Sequence, residues 1–175
     1  MRSVLLLRAV NVSGRNRVPM AELREALAAK TDLQDVSTYI ASGNIICDAP
    51  ADAAAACERV RKVIADAFDV DTPVIARTHE ELTTALDALP FGDGDEKYVH
   101  AMFLAAEPAD GAVEALEGRL VPGERIALIG RDLWIDYASG VQNTRLTKSV
   151  FDRALGVAGT GRNLRTVRRL ADLTA

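Results

Sequence analysis

The chain has 175 residues, of which 49% are hydrophobic and 26% are charged, and its formal net charge is −4. This composition is typical of a folded globular protein and excludes a chain that is disordered throughout. The longest apolar runs, such as residues 4–7 and 53–57, are too short to cross a bilayer. No small-residue cleavage site follows the first run, so we predict a soluble, cytoplasmic protein without a signal peptide.

Cysteine and histidine are too scarce for a disulfide framework or a histidine-rich metal centre. The chain contains two cysteines, Cys47 and Cys57, and two histidines, His79 and His100. A structural zinc site needs four well-spaced ligands, which the two cysteines do not supply. We therefore predict two reduced, partly buried thiols and no metal site. The sequence identifies no cofactor.

Charge is unevenly distributed along the chain. Residues 140–175 contain seven basic and two acidic residues, a net charge of +5, which leaves −9 for the rest. A basic segment on an acidic body predicts a local anion site or an internal docking surface. It does not indicate a protein whose whole surface is adapted to nucleic acid.

The first half of the chain alternates apolar strands with amphipathic helices. Pro19 suits the first turn of a helix, where its missing N–H needs no partner. Thr78 and Glu81 have the spacing of a capping box. Ser42, Gly43 and Asn44 are typical of a tight turn between strands. The predicted elements are a strand over 3–9, a loop over 11–17, a helix over 19–29, strands over 36–40 and 44–47, a helix over 51–68, a strand over 73–77 and a helix from 78 to about 89.

The second half repeats this order after an acidic, turn-rich stretch at 91–96, which we predict to be a linker. The predicted elements are a strand over 98–105, a helix around 110–116, strands over 125–129 and 133–137, a helix over 146–154, a short extended piece over 157–159, a loop over 159–163 and a last, basic helix. This order predicts an α+β fold of two ferredoxin-like (βαββαβ) halves, each followed by an extra helix. The predicted domains are 1–90 and 97–175.

Three segments resemble an uncharacterised bacterial family, the domain of unknown function 1697. They are residues 7–20 (LRAVNVSGRNRVPM), 38–44 (TYIASGN) and 160–167 (TGRNLRTV). In the family pattern, Ser13 would be a glycine and Leu164 a tryptophan. The resemblance implies an α+β fold of two related halves. It implies no established reaction, substrate or cofactor.

The loop that follows the first strand is the first candidate site. It carries Arg8, Asn11, Arg15, Asn16 and Arg17 and leads into a helix N-terminus. Backbone N–H groups and the positive end of a helix dipole favour an anion there. Arginine side chains add bidentate recognition of carboxylate or phosphate. The alternative is that the asparagines bond their own loop and the arginines are solvated.

A second glycine-containing loop is predicted near the end of the chain, at 159–163. Arg162, Arg165 and Arg169 follow a spacing that places them on one helix face, and Thr160 or Asn163 can cap that helix. The alternative is that these arginines pair with carboxylates of the acidic first half. The turn at 42–44 and Arg77, at the end of a strand, are further candidates with purely structural alternatives.

No constellation in the sequence demands an enzyme. His79 lies in a helix-capping sequence and His100 on a strand, and neither has a neighbouring nucleophile in a catalytic motif. Whether a reaction is catalysed is left open, as are the oligomeric state and the biological role.

The leading hypothesis is a protein that binds a small anion, phosphorylated or nucleotide-like, in a cleft formed by the 8–17, 42–44 and 160–163 loops. The alternatives are an RNA-binding module and a non-catalytic interaction protein. Against RNA, residues 4–7 and 44–47 carry no aromatic ring, and the sequence pI is about 5.2. The predicted ligand-binding residues are Arg8, Asn11, Gly14, Asn16, Ser42, Gly43, Asn44, Arg77, Arg162, Asn163, Arg165 and Thr166.

Overall fold

The apolar run near the start of the chain forms the central strand of the first sheet. The structure, a computed structural model, describes residues 1–175. Strand β1 spans Arg2–Leu7, and its residues 4–7 are completely buried. Leu5 lies opposite Ile45 on one neighbouring strand and opposite Ala76 on the other, and both pairings are antiparallel. A strand paired on both sides suits an unbroken hydrophobic run.

The first half of the chain supplies four strands and three helices. The strand order in the sheet is β2-β3-β1-β4, with every neighbouring pair antiparallel. After β1, the elements are α1 (Met20–Lys30), β2 (Ser37–Tyr39), β3 (Asn44–Asp48), α2 (Ala53–Phe68), β4 (Val74–Thr78) and α3 (His79–Asp87). Alternate residues of the strands pack with the apolar faces of α1 and α2 in one core, which includes Leu5, Leu7, Leu23, Leu27, Ile45, Cys47, Val60 and Ile64.

The second half has the same order of elements and the same strand order, β6-β7-β5-β8. Its elements are β5 (Val99–Leu104), α4 (Ala112–Glu117), β6 (Arg125–Ile129), β7 (Asp132–Asp136), α5 (Lys148–Leu155), β8 (Gly159–Asn163) and α6 (Leu164–Leu173), with a short 3-10 helix at Val141–Asn143. Its core includes Leu116, Leu133, Ile135, Phe151 and Leu155. The predicted α+β class is therefore confirmed, with two four-stranded antiparallel sheets and six helices. None of these helices combines the length and the apolar run that a bilayer crossing requires.

The chain divides into two compact units. The first comprises Met1–Leu82 together with Leu170–Ala175, and the second comprises Thr83–Arg169. The C-terminal residues contact the rest of the first unit through a hydrogen bond between His79 Nδ1 and Thr174 Oγ1, which are 3.1 Å apart.

Residues 91–96, the predicted linker, lie in the second unit and are attached to it by specific contacts. Phe91 is buried, and its ring centroid lies 4.6 Å from the guanidinium carbon of Arg125. Arg125 also pairs with Asp93, with 3.1 Å between Nη2 and Oδ1. Gly94 N donates to Phe91 O at 3.0 Å, which closes a turn. This segment is therefore an ordered turn of the second unit.

The two cysteines provide a direct test of the first core. Burial raises the pKa of both Cys47 and Cys57 to about 11, because a thiolate is poorly solvated among apolar side chains. We expect both thiols to resist alkylation by iodoacetamide at about pH 8 in the folded protein, since the thiolate is the reactive form. Mass spectrometry should show two added groups after unfolding in guanidinium. Rapid labelling of the native protein would contradict this packing.

Candidate functional site

The loop between β1 and α1 folds back on itself as a small closed structure. Asn11 N donates to Asn16 O at 3.0 Å, and Arg15 N donates to Val12 O at 2.9 Å. Val12 and Arg15 also form an isolated antiparallel bridge. The predicted loop at 11–17 is therefore ordered by its own backbone, with residues 12–15 at its tip.

This loop has an unusual density of left-handed backbone. Ala9, Asn11, Ser13 and Asn16 have φ between 51° and 55°, and Gly14 has φ 75°. Asparagine and glycine tolerate this region, whereas alanine and serine adopt it at a cost of roughly 1–2 kcal/mol each. Strained conformations persist only where surrounding contacts hold them, and they concentrate at functional sites.

The two asparagines of the loop supply those contacts. Asn11 Nδ2 donates to Val18 O at 2.9 Å and to Ala41 O at 2.7 Å, while Asn11 Oδ1 accepts from Val18 N at 2.8 Å. Asn16 Nδ2 donates to Ala9 O at 3.0 Å. Both amides therefore bond the backbone, as the structural alternative predicted. Their direct role is to hold the loop in shape.

The arginines of the loop are placed differently from one another. Arg8 is half-buried, and its backbone is held by Thr72: Arg8 N donates to Thr72 Oγ1 at 2.9 Å, and Thr72 Oγ1 donates to Arg8 O at 2.8 Å. The sequence prediction did not include Thr72, because no local pattern links it to a residue 64 positions earlier. Arg15 and Arg17 are exposed, and their side chains make no hydrogen bond or ion pair. Two positive charges thus lie close in sequence with no carboxylate against them.

The turn at 42–44 helps to hold this loop in place through hydrogen bonds to neighbouring segments. Leu7 N donates to Gly43 O at 2.9 Å. Asn44 is completely buried, and its Nδ2 donates to Tyr39 O at 2.9 Å and to Ser42 Oγ at 3.2 Å. Together with the bond from Asn11 to Ala41, these contacts join the two segments within the first unit.

Arg77 is not at an exposed end of its strand. It lies within β4 with only 3% of its surface exposed, and its Nη1 donates to Ala76 O at 3.0 Å. A guanidinium removed from water in this way needs hydrogen bonds in compensation. Burial of this kind could not be predicted from one arginine in a five-residue apolar strand.

The prediction of a loop at 159–163 was wrong, because these residues form strand β8. Gly161 lies opposite Met102 of β5, and Arg162 lies opposite Ala101. Glycine is rare in strands, so its density here indicated a turn. Pairing with β5 overrides that local preference. Arg162 consequently does not share a helix face with Arg165 and Arg169.

Arg162 is 6% exposed within β8. Its Nη1 donates to Thr160 Oγ1 and to Gly161 O, both at 2.8 Å. Burial lowers the pKa of Arg162 to about 10, because the charged form is poorly solvated there. The group is still protonated at neutral pH. It is therefore a fixed positive charge inside the second unit.

The remaining candidates of the second unit lie at the start of α6. Asn163 Oδ1 accepts from Thr166 N at 2.9 Å, which confirms the predicted cap of this helix. Arg165 Nε lies 3.3 Å from Glu96 Oε1, and Arg168 Nη1 lies 3.1 Å from Glu96 Oε2. The basic helix is thus partly neutralised by one carboxylate of its own unit.

The predicted site residues therefore fall into two groups. Six of them form one hydrogen-bonded region of the first unit, and Arg8 and Arg77 lie in the same unit. The other four belong to the second unit, and the prediction that they complete the same site stays a prediction. The six are Asn11, Gly14, Asn16, Ser42, Gly43 and Asn44. The four are Arg162, Asn163, Arg165 and Thr166.

Each histidine has a contact within its own unit. His79 contacts the Thr174 hydroxyl, which already donates to Leu170 O at 2.8 Å. The ring of His100 lies edge-to-face against Tyr137, with centroids 5.0 Å apart, and burial lowers the pKa of His100. No three side chains among His, Cys, Asp and Glu are grouped to hold a metal ion.

Two comparisons with known proteins give matches. The family described as "Protein of unknown function (DUF1697)" matches residues 1–134. A solved structure, that of the conserved bacterial protein SP0830 from Streptococcus pneumoniae, is similar over 99% of this chain and 98% of its own, with a TM-score of 0.78 and 25% identity. None of the curated proteins matches this chain.

Proposed function

The chain belongs to the DUF1697 family of proteins of unknown function, and from that premise we propose that the loop at residues 8–17 binds a small phosphorylated anion. One observation carries this proposal. The loop is strained and is held in shape by side-chain hydrogen bonds, and it presents Arg15 and Arg17 without any acidic partner. Of the other exposed arginines in this unit, Arg59 pairs with Asp32, and Arg24 donates to the Thr38 hydroxyl at 2.6 Å. The pairing that this loop lacks is one that a ligand can supply.

The chemistry of the loop suits phosphate. A guanidinium offers parallel N–H donors that match two phosphate oxygens, and such charge-assisted bonds are stronger than neutral ones. Asn11 and Asn16 act as positioning residues that reduce the entropy lost when the ligand binds. Arg8 and the turn at 42–44 support the same part of the first unit, whereas Arg77 lies opposite Val4 of β1 and not opposite Leu7, the residue before the loop. The proposal does not depend on Arg162, Asn163, Arg165 or Thr166.

The experiment is thermal unfolding with inorganic phosphate, ribose 5-phosphate and AMP, each at increasing concentration. A ligand at about 100 times its Kd stabilises by about 2.7 kcal/mol, which for a chain of this size raises the Tm by roughly 5–10 °C. We expect at least one of these anions to produce a saturable shift that falls with added salt. The double variant Arg15→Ala/Arg17→Ala should abolish the shift.

The matched control removes the same charge elsewhere. Arg119 and Arg145 are also exposed, and neither side chain has an ion-pair partner. Arg119→Ala/Arg145→Ala should therefore keep the full ligand shift. The proposal fails if no anion stabilises the protein, or if both double variants lose the shift equally.

RNA binding is the alternative function, and it is tested separately. Base stacking needs accessible rings, yet Phe103 and Trp134 in the second sheet are completely buried and Tyr39 in the first sheet is half-buried. Filter binding of single-stranded RNA at two salt concentrations decides the matter. Tight binding with a steep salt dependence would favour RNA over a small anion.

We also infer that each half is a ferredoxin-like unit with an extra helix. The order β-α-β-β-α-β, the fully antiparallel sheets and the strand order 2-3-1-4 in each sheet support this assignment. We place the function in the cytoplasm, which two unpaired cysteines support because oxidising compartments favour disulfides.

A further inference from the structure

We propose that the ligand of the 8–17 loop is a nucleotide, recognised by its base as well as its phosphate; this inference rests on the function proposed above. Val12 is 53% exposed and Ile40 is 47% exposed. They are two of only five large hydrophobic side chains that the chain exposes. Both belong to the segments that carry or support the unpaired arginines.

The backbone places Val12 beside Arg15 and places Ile40 in a segment that is hydrogen-bonded to the same loop. Val12 O accepts from Arg15 N, so the two residues are paired across the tip of the loop. Ile40 directly precedes Ala41, whose carbonyl binds the side chain of Asn11 at 2.7 Å. Scattered single hydrophobic residues need no explanation, but these two lie in hydrogen-bonded segments of one loop region that also carries unpaired cations.

Ile40 is held at a conformational cost that its own packing does not explain. Its φ is 49°, in the left-handed region, where a β-branched residue is a genuine outlier. Glycine or asparagine would adopt this conformation with less strain. Because about half of the Ile40 side chain is exposed, its burial compensates for little of the strain energy. A contact with a ligand accounts for keeping isoleucine at this position.

An apolar face beside arginines selects among phosphorylated molecules. Arg15 and Arg17 bind the phosphate. The aliphatic side chains of Val12 and Ile40 form a surface on which a flat, weakly solvated ring packs. A nucleoside phosphate offers both parts. Ribose 5-phosphate offers the phosphate alone, so the base is the group that tests this inference.

Calorimetric titration of the full chain with AMP and with ribose 5-phosphate separates the two contributions. Removing about 55 Å² of apolar surface from water corresponds to a tenfold change in affinity. We expect AMP to bind about tenfold more tightly than ribose 5-phosphate. Val12→Ser and Ile40→Asn should each weaken AMP binding about 3–10-fold and leave ribose 5-phosphate unchanged.

Thermal unfolding of the ligand-free variant excludes a loss caused by misfolding. Ile40→Asn relieves the left-handed strain, so its Tm should rise by about 2–4 °C while AMP affinity falls. Ile129→Asn, at an exposed isoleucine of β6, is the matched control and should not affect AMP binding.

This inference is overturned if AMP and ribose 5-phosphate bind with equal affinity and neither Val12→Ser nor Ile40→Asn changes that affinity. The proposed phosphate site would then still stand. If neither compound binds, this inference fails, and if inorganic phosphate does not bind either, the proposed function fails with it. A lower Tm for Ile40→Asn would show that Ile40 serves the fold, which also contradicts the inference.

Discussion

Replacing Gly43 with alanine is expected to destabilise the protein by about 2–4 kcal/mol. The φ of Gly43 is 90°, which an L-residue adopts only with strain. An added Cβ would lie 2.8 Å from Leu7 Cβ and 2.9 Å from Leu7 Cδ1. Because Leu7 is a completely buried residue of the central strand, it cannot move away without disturbing the core. Urea-induced unfolding followed by circular dichroism measures this loss.

Gly14 provides the control for this prediction. Its φ is 75°, but a Cβ there would have no atom within 4 Å. Gly14→Ala therefore carries the backbone strain without the collision, and we expect it to cost about 1–2 kcal/mol. The difference between the two variants isolates the contact with Leu7. Equal losses at both positions would show that the close approach of the 42–44 turn to β1 is not tight.

Replacing Asn11 with alanine is expected to cost about 2–3 kcal/mol, because three hydrogen bonds are lost and each contributes about 1 kcal/mol net. Both N–H groups of its amide have carbonyl partners, and its oxygen accepts from Val18 N. The loss should also release the tip of the loop. Hydrogen exchange at the Val18 amide, together with urea unfolding, reports both effects.

Asn11→Asp and Asn16→Ala make this prediction specific. Aspartate keeps the oxygen that accepts from Val18 N, but it places a second oxygen against the carbonyls of Val18 and Ala41. We expect Asn11→Asp to be no more stable than Asn11→Ala. Asn16 has a single side-chain bond, to Ala9 O, so Asn16→Ala should cost about 1 kcal/mol. If Asn16→Ala were as damaging as Asn11→Ala, the amide of Asn11 would not be the main support of the loop.

The predictions for Gly43 and Asn11 bear on the proposed site, because these residues hold the loop in shape and are not proposed to touch the ligand. Arg15→Ala/Arg17→Ala should abolish anion binding at little cost in stability. Asn11→Ala should reduce stability and binding together, since it leaves the arginines in place but frees the loop that presents them. That contrast separates residues that touch the ligand from those that position them.

Elements with strong local signals were predicted well from the sequence. The helix predicted over 51–68 is found at Ala53–Phe68, because its apolar residues recur at helical spacing and pack in the first core. The predicted capping box is confirmed: Thr78 N donates to Glu81 Oε2 at 2.8 Å, and Glu81 N donates to Thr78 Oγ1 at 3.1 Å. Both features depend on residues at most a few positions apart.

The properties that matter most to the candidate site were decided by contacts between distant residues. Strand β8 exists because β5 pairs with it, although its glycines favour a turn. The partner of Asn11 at Ala41 lies 30 positions away, and that of Arg8 at Thr72 lies 64 positions away.

By itself, the sequence determined the α+β class, the order of most elements, the caps and the presence of a polar arginine-bearing loop, because periodicity and turn chemistry act over a few residues. Only the tertiary structure decided which arginines are buried, which asparagine side chains are engaged in hydrogen bonds within the protein and which charges lack a partner. Burial and hydrogen bonding depend on what a side chain meets in space, and chain positions far from it supply those neighbours.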